Sequence, residues 1–294
     1  MTATAPTPQG GADAALIGGA SVSGGQLQLN GAGAHASLPI DATLANLNSA
    51  TFEAWVTHDQ LTSWPRIFDF GNGNPTSNPT QGYLFLTASP RYSSIVSFAQ
   101  FSISQSGSAA SENIYAGTVP GPGVEAHLAV VIDDGAQMGT VYLNGLPLLQ
   151  GAVTLTPSDI VNVDGQEHNW LGRSRFSSDS SLNGAINEFR IHDTALSSAE
   201  ILSSYHLGPS GVPGEMCCNL FNAAASPGAF SFQLNTFTGF SYDIHYTDSI
   251  SPVDWTFLTT LAGNNSIQTV VDNAAPQTSR FYRAEIYETP ATPP

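Results

Sequence analysis

Residues Thr51-Phe52-Glu53-Ala54-Trp55-Val56 divide strictly between two faces. In an extended chain successive side chains point to opposite sides, so Phe52, Ala54 and Val56 share one face and Glu53 and Trp55 the other. Working outward, similar β-branched and aromatic runs recur at Gln26–Leu29, Arg66–Phe70, Tyr83–Thr87, Ile95–Ile103, His127–Ile132, Thr140–Leu143, Asn169–Gly172 and Ala185–Ile191. Gly, Asn, Pro and Ser punctuate them. This spacing argues for a sandwich and against alternating βαβ units. Asn144-Gly145 after Val141-Tyr142-Leu143 predicts a tight hairpin, because both turn residues tolerate positive φ. Asn183-Gly184 carries the same signal, and Asp133-Asp134-Gly135 predicts a turn.

One helix is expected. Ser197 followed three places later by Glu200 makes a capping box, with Leu196 and Ile201 as the hydrophobic staple. Residues 208–218, GPSGVPGEMCC, have the Gly and Pro content of a linker. Five further runs follow at Ala229–Leu234, Ser241–Thr247, Trp255–Leu261, Ile267–Asp272 and Phe281–Ile286. They suit a small immunoglobulin-like or fibronectin-like β-sandwich over 219–288. The expected order is a flexible lead-in at 1–15, a large antiparallel sandwich at 16–207, the linker, the small sandwich, and a Pro-rich tail at 289–294. The fold class is all-β.

Composition narrows the function. The 294 residues carry seven Arg, no Lys and 23 acidic residues, a formal charge of −16. Charged residues make only 10% of the chain, well below the roughly 25% of an average domain, which suits an extracellular β-protein. Nucleic acid is an improbable partner, because phosphate binding needs clustered Lys and Arg. The absence of Lys excludes P-loop and Schiff-base chemistry. No apolar run is long enough to cross a membrane as a helix. The first 20 residues lack the basic and apolar regions of a signal peptide, so the expectation is a trimmed leader or another route, such as a virus particle. Cys217 and Cys218 are adjacent, which leaves open two thiols, a strained vicinal disulfide or an interchain link.

Catalytic patterns are sparse. No two Asp or Glu stand at i and i+2 or i+4, the arrangement that holds a glycosidase carboxylate pair on one strand face. Gly71 and Gly73 begin a dinucleotide-binding pattern that Thr76 breaks. His127 opens an apolar run and reads as a packed strand-end histidine, His192 with Asp193 as the lead-in to the helix, and His35 as a strand residue without a second metal ligand nearby. No catalytic residue is assigned.

The ordered stretches Leu27–Pro39 (LQLNGAGAHASLP), Thr51–Val56, Arg66–Gly71, Gly82–Thr87, His127–Ile132, Thr140–Gly145, Asn169–Ser174 and Gly184–Ile201 resemble the laminin G-like members of the concanavalin A-like lectin/glucanase superfamily. Gly184-Ala185-Ile186-Asn187-Glu188-Phe189-Arg190-Ile191 is the most specific stretch. The resemblance covers about 16–207 and implies a jelly-roll sandwich of two antiparallel sheets. It implies a secreted or cell-surface adhesion module that binds polysaccharide, a surface glycan or another surface protein. The alternative is a structural surface protein, capable of self-assembly: a virion decoration subunit or a unit of an extracellular layer or filament. A hydrolase ranks last. Ligand contacts are expected from Trp64, Tyr92, Tyr115 and Trp170, with Arg173 and Arg175 as donors. The family often holds Ca²⁺ at one edge. Here the carboxylate positions fall on Ala34 and Asn187, so Asn30, Gly31 and Asn187 are expected to give at most a weak Ca²⁺ site. The C-terminal stretches Tyr242–Asp248, Trp255–Leu258 and Arg280–Arg283 resemble a small domain found at the ends of secreted planctomycete-like and verrucomicrobium-like proteins.

Overall fold

The structure, a computed structural model, describes residues 13–60, 62–72, 81–88, 98–160, 168–210, 220–236, 240–264, 266–276 and 279–288. Cys217, Cys218, Tyr92 and most of the expected linker lie outside the described residues. The described chain is all-β with short helices. Its strands are β1 (Ala15–Ile17), β2 (Ser21–Ser23), β3 (Gln26–Asn30), β4 (His35–Ser37), β5 (Ala50–Gln60), β6 (Arg66–Gly71), β7 (Tyr83–Thr87), β8 (Phe98–Ser104), β9 (Glu112–Thr118), β10 (Glu125–Asp133), β11 (Met138–Leu143), β12 (Leu146–Ala152), β13 (Trp170–Leu171) and β14 (Asn183–His192), then β15 (Phe221–Ser226), β16 (Ala229–Thr236), β17 (Phe240–Thr247), β18 (Thr256–Ala262), β19 (Ser266–Asp272) and β20 (Phe281–Glu288).

The first fourteen strands form two antiparallel seven-stranded sheets. One runs β1-β4-β13-β6-β7-β8-β9 and the other β12-β11-β10-β5-β14-β3-β2. Strand neighbours far apart in sequence, such as β5 with β14, are what a jelly roll requires. The expected alternation at β5 holds. Phe52, Ala54 and Val56 enter the core, where Phe52 of the second sheet packs 5.3 Å from Phe68 of the first. Phe189 of β14 meets Phe68 and Phe70 at 5.7 and 5.8 Å. These rings join the two layers, and burial of such side chains drives the sheets together. Asn144 and Gly145 adopt φ of 50° and 81° and join β11 to β12, as the hairpin signal predicted.

Asn183-Gly184 departs from that expectation. It opens β14 and does not turn a hairpin. Gly184 lies opposite His58 at a bulge, with φ of 147°. A second bulge places Asn187 between Ile186, opposite Val56, and Glu188, opposite Trp55. The extra residue restores the alternation, so that Phe189 and Ile191 again pack on the core.

His58, on β5, is buried, and neither ring nitrogen has a hydrogen-bond partner among the described residues. Burial pushes its pKa down to about 4 from 6.5. The unfolded chain therefore binds a proton that the folded chain refuses between those values. Stability is complete above pH 6.5, falls as pH drops through this window, and levels out below about pH 4 at a cost of about 3 kcal/mol. Urea melts at pH 7 and pH 4.5 should show this loss, and His58→Leu should shrink it. An unchanged pH dependence in the variant would assign the acid lability elsewhere.

The chain divides into two compact units. The second holds the helix Ser198–Leu207 together with Pro213–Pro294. The helix begins one residue after the expected cap, but it groups with the C-terminal unit and not with the sandwich at 16–207. β15–β20 form two three-stranded antiparallel sheets, β15-β16-β19 and β18-β17-β20. Tyr282 of β20 stacks on Phe230 of β16 at 5.1 Å and meets Phe232 at 5.2 Å, joining them. Arg280 clamps one end, 2.7 Å from Asp248 and 2.9 Å from Asp272, with its guanidinium 3.8 Å above Tyr246.

Candidate functional site

The first sheet turns a second, polar face away from the core. In β6, Phe68 and Phe70 point inward, while Arg66 and Asp69 point outward. Asp69 is 0% exposed. Its carboxylate lies 3.3 Å from Arg66 Nε and 3.1 Å from Arg175 Nε, and accepts the backbone N–H of Arg175 at 3.1 Å. Asp179 accepts from Arg66 Nη2 at 2.8 Å and from the Ser174 hydroxyl at 2.8 Å. Burial pushes the Asp179 carboxyl up, and Arg66 and Ser174 oppose that rise. Arg66 also lies 3.8 Å above the Phe85 ring, near Phe176 and Trp64. Two arginines and two aspartates thus pin the segment after β13 to the sheet.

Sequence spacing did not foresee this pair of carboxylates, whose members are 110 positions apart. A usable signal existed: Arg66 and Asp69 interrupt an apolar run, and buried charges occur where they are paired. Arginine holds both carboxylates, and Asp69 is fully buried.

Arg175 was expected to donate to a ligand. Instead its guanidinium is buried and spent on Asp69 and the carbonyls of Asn72 and Gly82. Trp170 is 5% exposed, so it offers no open stacking face. It packs 5.0 Å from His35 and 4.8 Å from His168, and the Arg173 guanidinium lies 4.7 Å above its ring. Burial holds His35 below the usual histidine range, and Arg173 and His168 lower it further against a 2.8 Å bond to the Gly33 carbonyl. Arg173 and Trp64 are half-buried. Tyr115, on edge strand β9 opposite Gln100, is 55% exposed beside the exposed Asn113. Tyr92 lies outside the described residues.

The outer face of the second sheet holds another cluster. Glu53 Oε2 lies 3.8 Å from His127 Nε2, 3.8 Å from His192 Nε2 and 3.9 Å from Arg190 Nη1. Arg190 lies 4.5 Å above Trp55, which packs 4.3 Å from His127. The expected packing role of His127 is met, with a carboxylate neighbour that the sequence did not reveal.

Asn30, Gly31 and Asn187 do not meet as a calcium site. Asn30 pairs with Asn183, and Leu27 with Ile186, so Asn30 and Asn187 stand about four residues apart along the β3–β14 ladder, roughly 13 Å. The Asn30 side-chain oxygen Oδ1 accepts the Ala32 N–H at 2.8 Å, and the Asn187 side-chain amide donates to Glu125 at 2.9 Å. Among the described residues no three His, Cys, Asp or Glu are disposed to hold a metal. Millimolar CaCl₂ in place of EDTA should therefore move Tm by no more than a few degrees. A rise above about 8 °C would mean a tight native-state site elsewhere.

Among curated proteins none matches the sequence. Solved structures of similar shape include the CBM40 of the Ruminococcus gnavus IT-sialidase bound to α2,3-sialyllactose, with 13% identity, TM-score 0.46, 60% of this chain and 94% of that one covered. Domain 4 of an extracellular arabinanase from Geobacillus stearothermophilus, in complex with arabinotriose, has 22% identity and TM-score 0.45, with 65% and 81% covered. A leech intramolecular trans-sialidase complexed with 2,7-anhydro-Neu5Ac has 12% identity and TM-score 0.48, with 73% and 33% covered. A laminin G-type family model, described as the concanavalin A-like lectin/glucanases superfamily, matches residues 30–202. That match takes in more than half of the chain and most strands of both large sheets, and by it the chain belongs to the concanavalin A-like lectin/glucanases superfamily.

Proposed function

We propose that the chain is a non-catalytic extracellular module that binds polysaccharide or surface glycan through the outer face of its first sheet. One observation carries the reading. That face presents Trp64, Tyr115, Asn113 and Arg173, aromatic or hydrogen-bonding side chains that are half-buried or exposed, while the carboxylates Asp69 and Asp179 are engaged by arginine. Planar rings with neighbouring amides and guanidinium suit the apolar faces and hydroxyls of a sugar. A retaining or inverting hydrolase needs two carboxyl groups that reach the scissile bond, and among the described residues the two aspartates of this face, Asp69 and Asp179, are both held by arginine. Low charge density and the absence of Lys fit a surface-exposed setting.

A glycan array probed with the intact chain tests binding, with reducing-sugar release measured on every polysaccharide retained. The expected result is retention without turnover. Release of reducing sugar that a single Asp or Glu substitution abolishes would overturn the non-catalytic reading. Failure to retain any glycan would overturn the binding reading.

A further inference from the structure

Six of the seven arginines lie among the described residues, and five of them face a carboxylate. Arg66 and Arg175 face Asp69, Arg190 faces Glu53 and Glu188, Arg280 faces Asp248 and Asp272, and Arg283 faces Glu285. Arg173 is the one described arginine with neither an ion pair nor a side-chain hydrogen bond; its guanidinium stacks on Trp170 at 4.7 Å. In a chain of formal charge −16 carboxylates are abundant, so this arginine is not short of possible partners. Its guanidinium is half-buried and fixed in orientation by the indole beneath it, and His168 and His35 flank the same ring. A planar cation held in place with its edge donors unspent matches the two oxygens of a carboxylate.

Resting on the glycan-binding reading above, we infer that Arg173 reads a carboxylate on the bound sugar, so that the module selects a saccharide carrying a single acidic residue over its neutral counterpart. The single charge matters. A polyanionic chain would meet the −16 field of the whole molecule, whereas one carboxylate beside Arg173 meets the local cation first. Uronic and sialic acids both supply this chemistry.

The test titrates the intact protein with oligosaccharides ending in glucuronic acid or in N-acetylneuraminic acid, each beside its methyl ester. The ester keeps shape and hydroxyls and removes the charge. The acid form of one series should bind about ten- to a hundredfold tighter than its ester, the range of a charge-assisted hydrogen bond. Arg173→Gln should erase that ratio and Arg173→Lys should restore part of it. A glucuronyl preference names uronic acids as the class, and a sialyl preference names sialic acids. Equal binding of acid and ester, or an acid preference that survives in Arg173→Gln, overturns the inference while glycan binding stands. Binding of no saccharide, acidic or neutral, removes both readings. Melting curves of the two variants show that any loss is local, since Arg173 holds no ion pair that folding depends on.

Discussion

Asp69→Asn should cost about 3–5 kcal/mol of folding stability, the range for removing one partner of a buried ion pair. The substitution keeps size and shape. It withdraws the charge that faces Arg66 at 3.3 Å and Arg175 at 3.1 Å, and leaves Asp179 as the remaining described carboxylate near two buried guanidinium groups. The segment after β13 is held to the sheet by the same contacts, so its order should be lost first. In the thermal melt the effect is roughly 6–20 °C for a unit of this size. Urea unfolding of wild type and variant reads the difference. A cost under about 1 kcal/mol would mean that water reaches this cluster in solution and screens its charges.

Gly184→Ala should be still more damaging, at about 4 kcal/mol or more. A Cβ built there would stand 2.0 Å from the Thr57 carbonyl oxygen and 3.0 Å from its carbon, both backbone atoms. The φ of 147° is itself closed to side-chain-bearing residues. β5 lies in the middle of the second sheet, so relief by moving Thr57 would disturb its pairing with β10 as well as β14. Expression of Gly184→Ala beside the milder Gly208→Ala, whose Cβ would meet nothing within 4 Å, separates close approach from general glycine loss. Equal stability of the two variants would contradict the bulge geometry.

Gly184 also marks where sequence reading stopped. Asn-Gly is a turn signal when two strands continue on either side, and at Asn144-Gly145 they do. At Asn183-Gly184 the partner strands are β3 and β5, both more than a hundred positions away, and no local pattern discloses them. The large sandwich was legible because β5, β7, β10 and β14 announce themselves by alternation and by β-branched and aromatic content. β9, with the sequence ENIYAGT, and β15, with FNAAAS, were missed because polar, Gly and Ala residues hide the period. The three-residue strands β1, β2 and β4 are too short to carry one.

The candidate site was legible only in part. Trp64, Tyr115 and Arg173, singled out as aromatic residues and arginines in polar segments, lie half-buried or exposed toward the outer face of the first sheet. Arg173 and Arg175 looked equivalent in Arg173-Ser174-Arg175, yet one is half-buried and unspent while the other is locked on Asp69. That difference depends on Asp69 and on the carbonyls of Asn72 and Gly82, contacts about a hundred residues distant. Asn30 and Asn187 failed as a calcium set for the same reason. A resemblance matches positions, and only the register of β3 on β14 gives the distance between them.

The face assignment is tested most directly by the four tryptophan indole N–H signals of the intact, ¹⁵N-labelled chain. Trp64 and Trp170 report on the outer face of the first sheet, Trp55 on that of the second, and Trp255 on the C-terminal unit. Titration with a saccharide retained on the array should shift Trp64 and Trp170 together and leave Trp55 and Trp255 in place. Shifts confined to Trp55 would move the binding face to the Glu53 cluster, and shifts confined to Trp255 would move it to the second unit; either result contradicts the account.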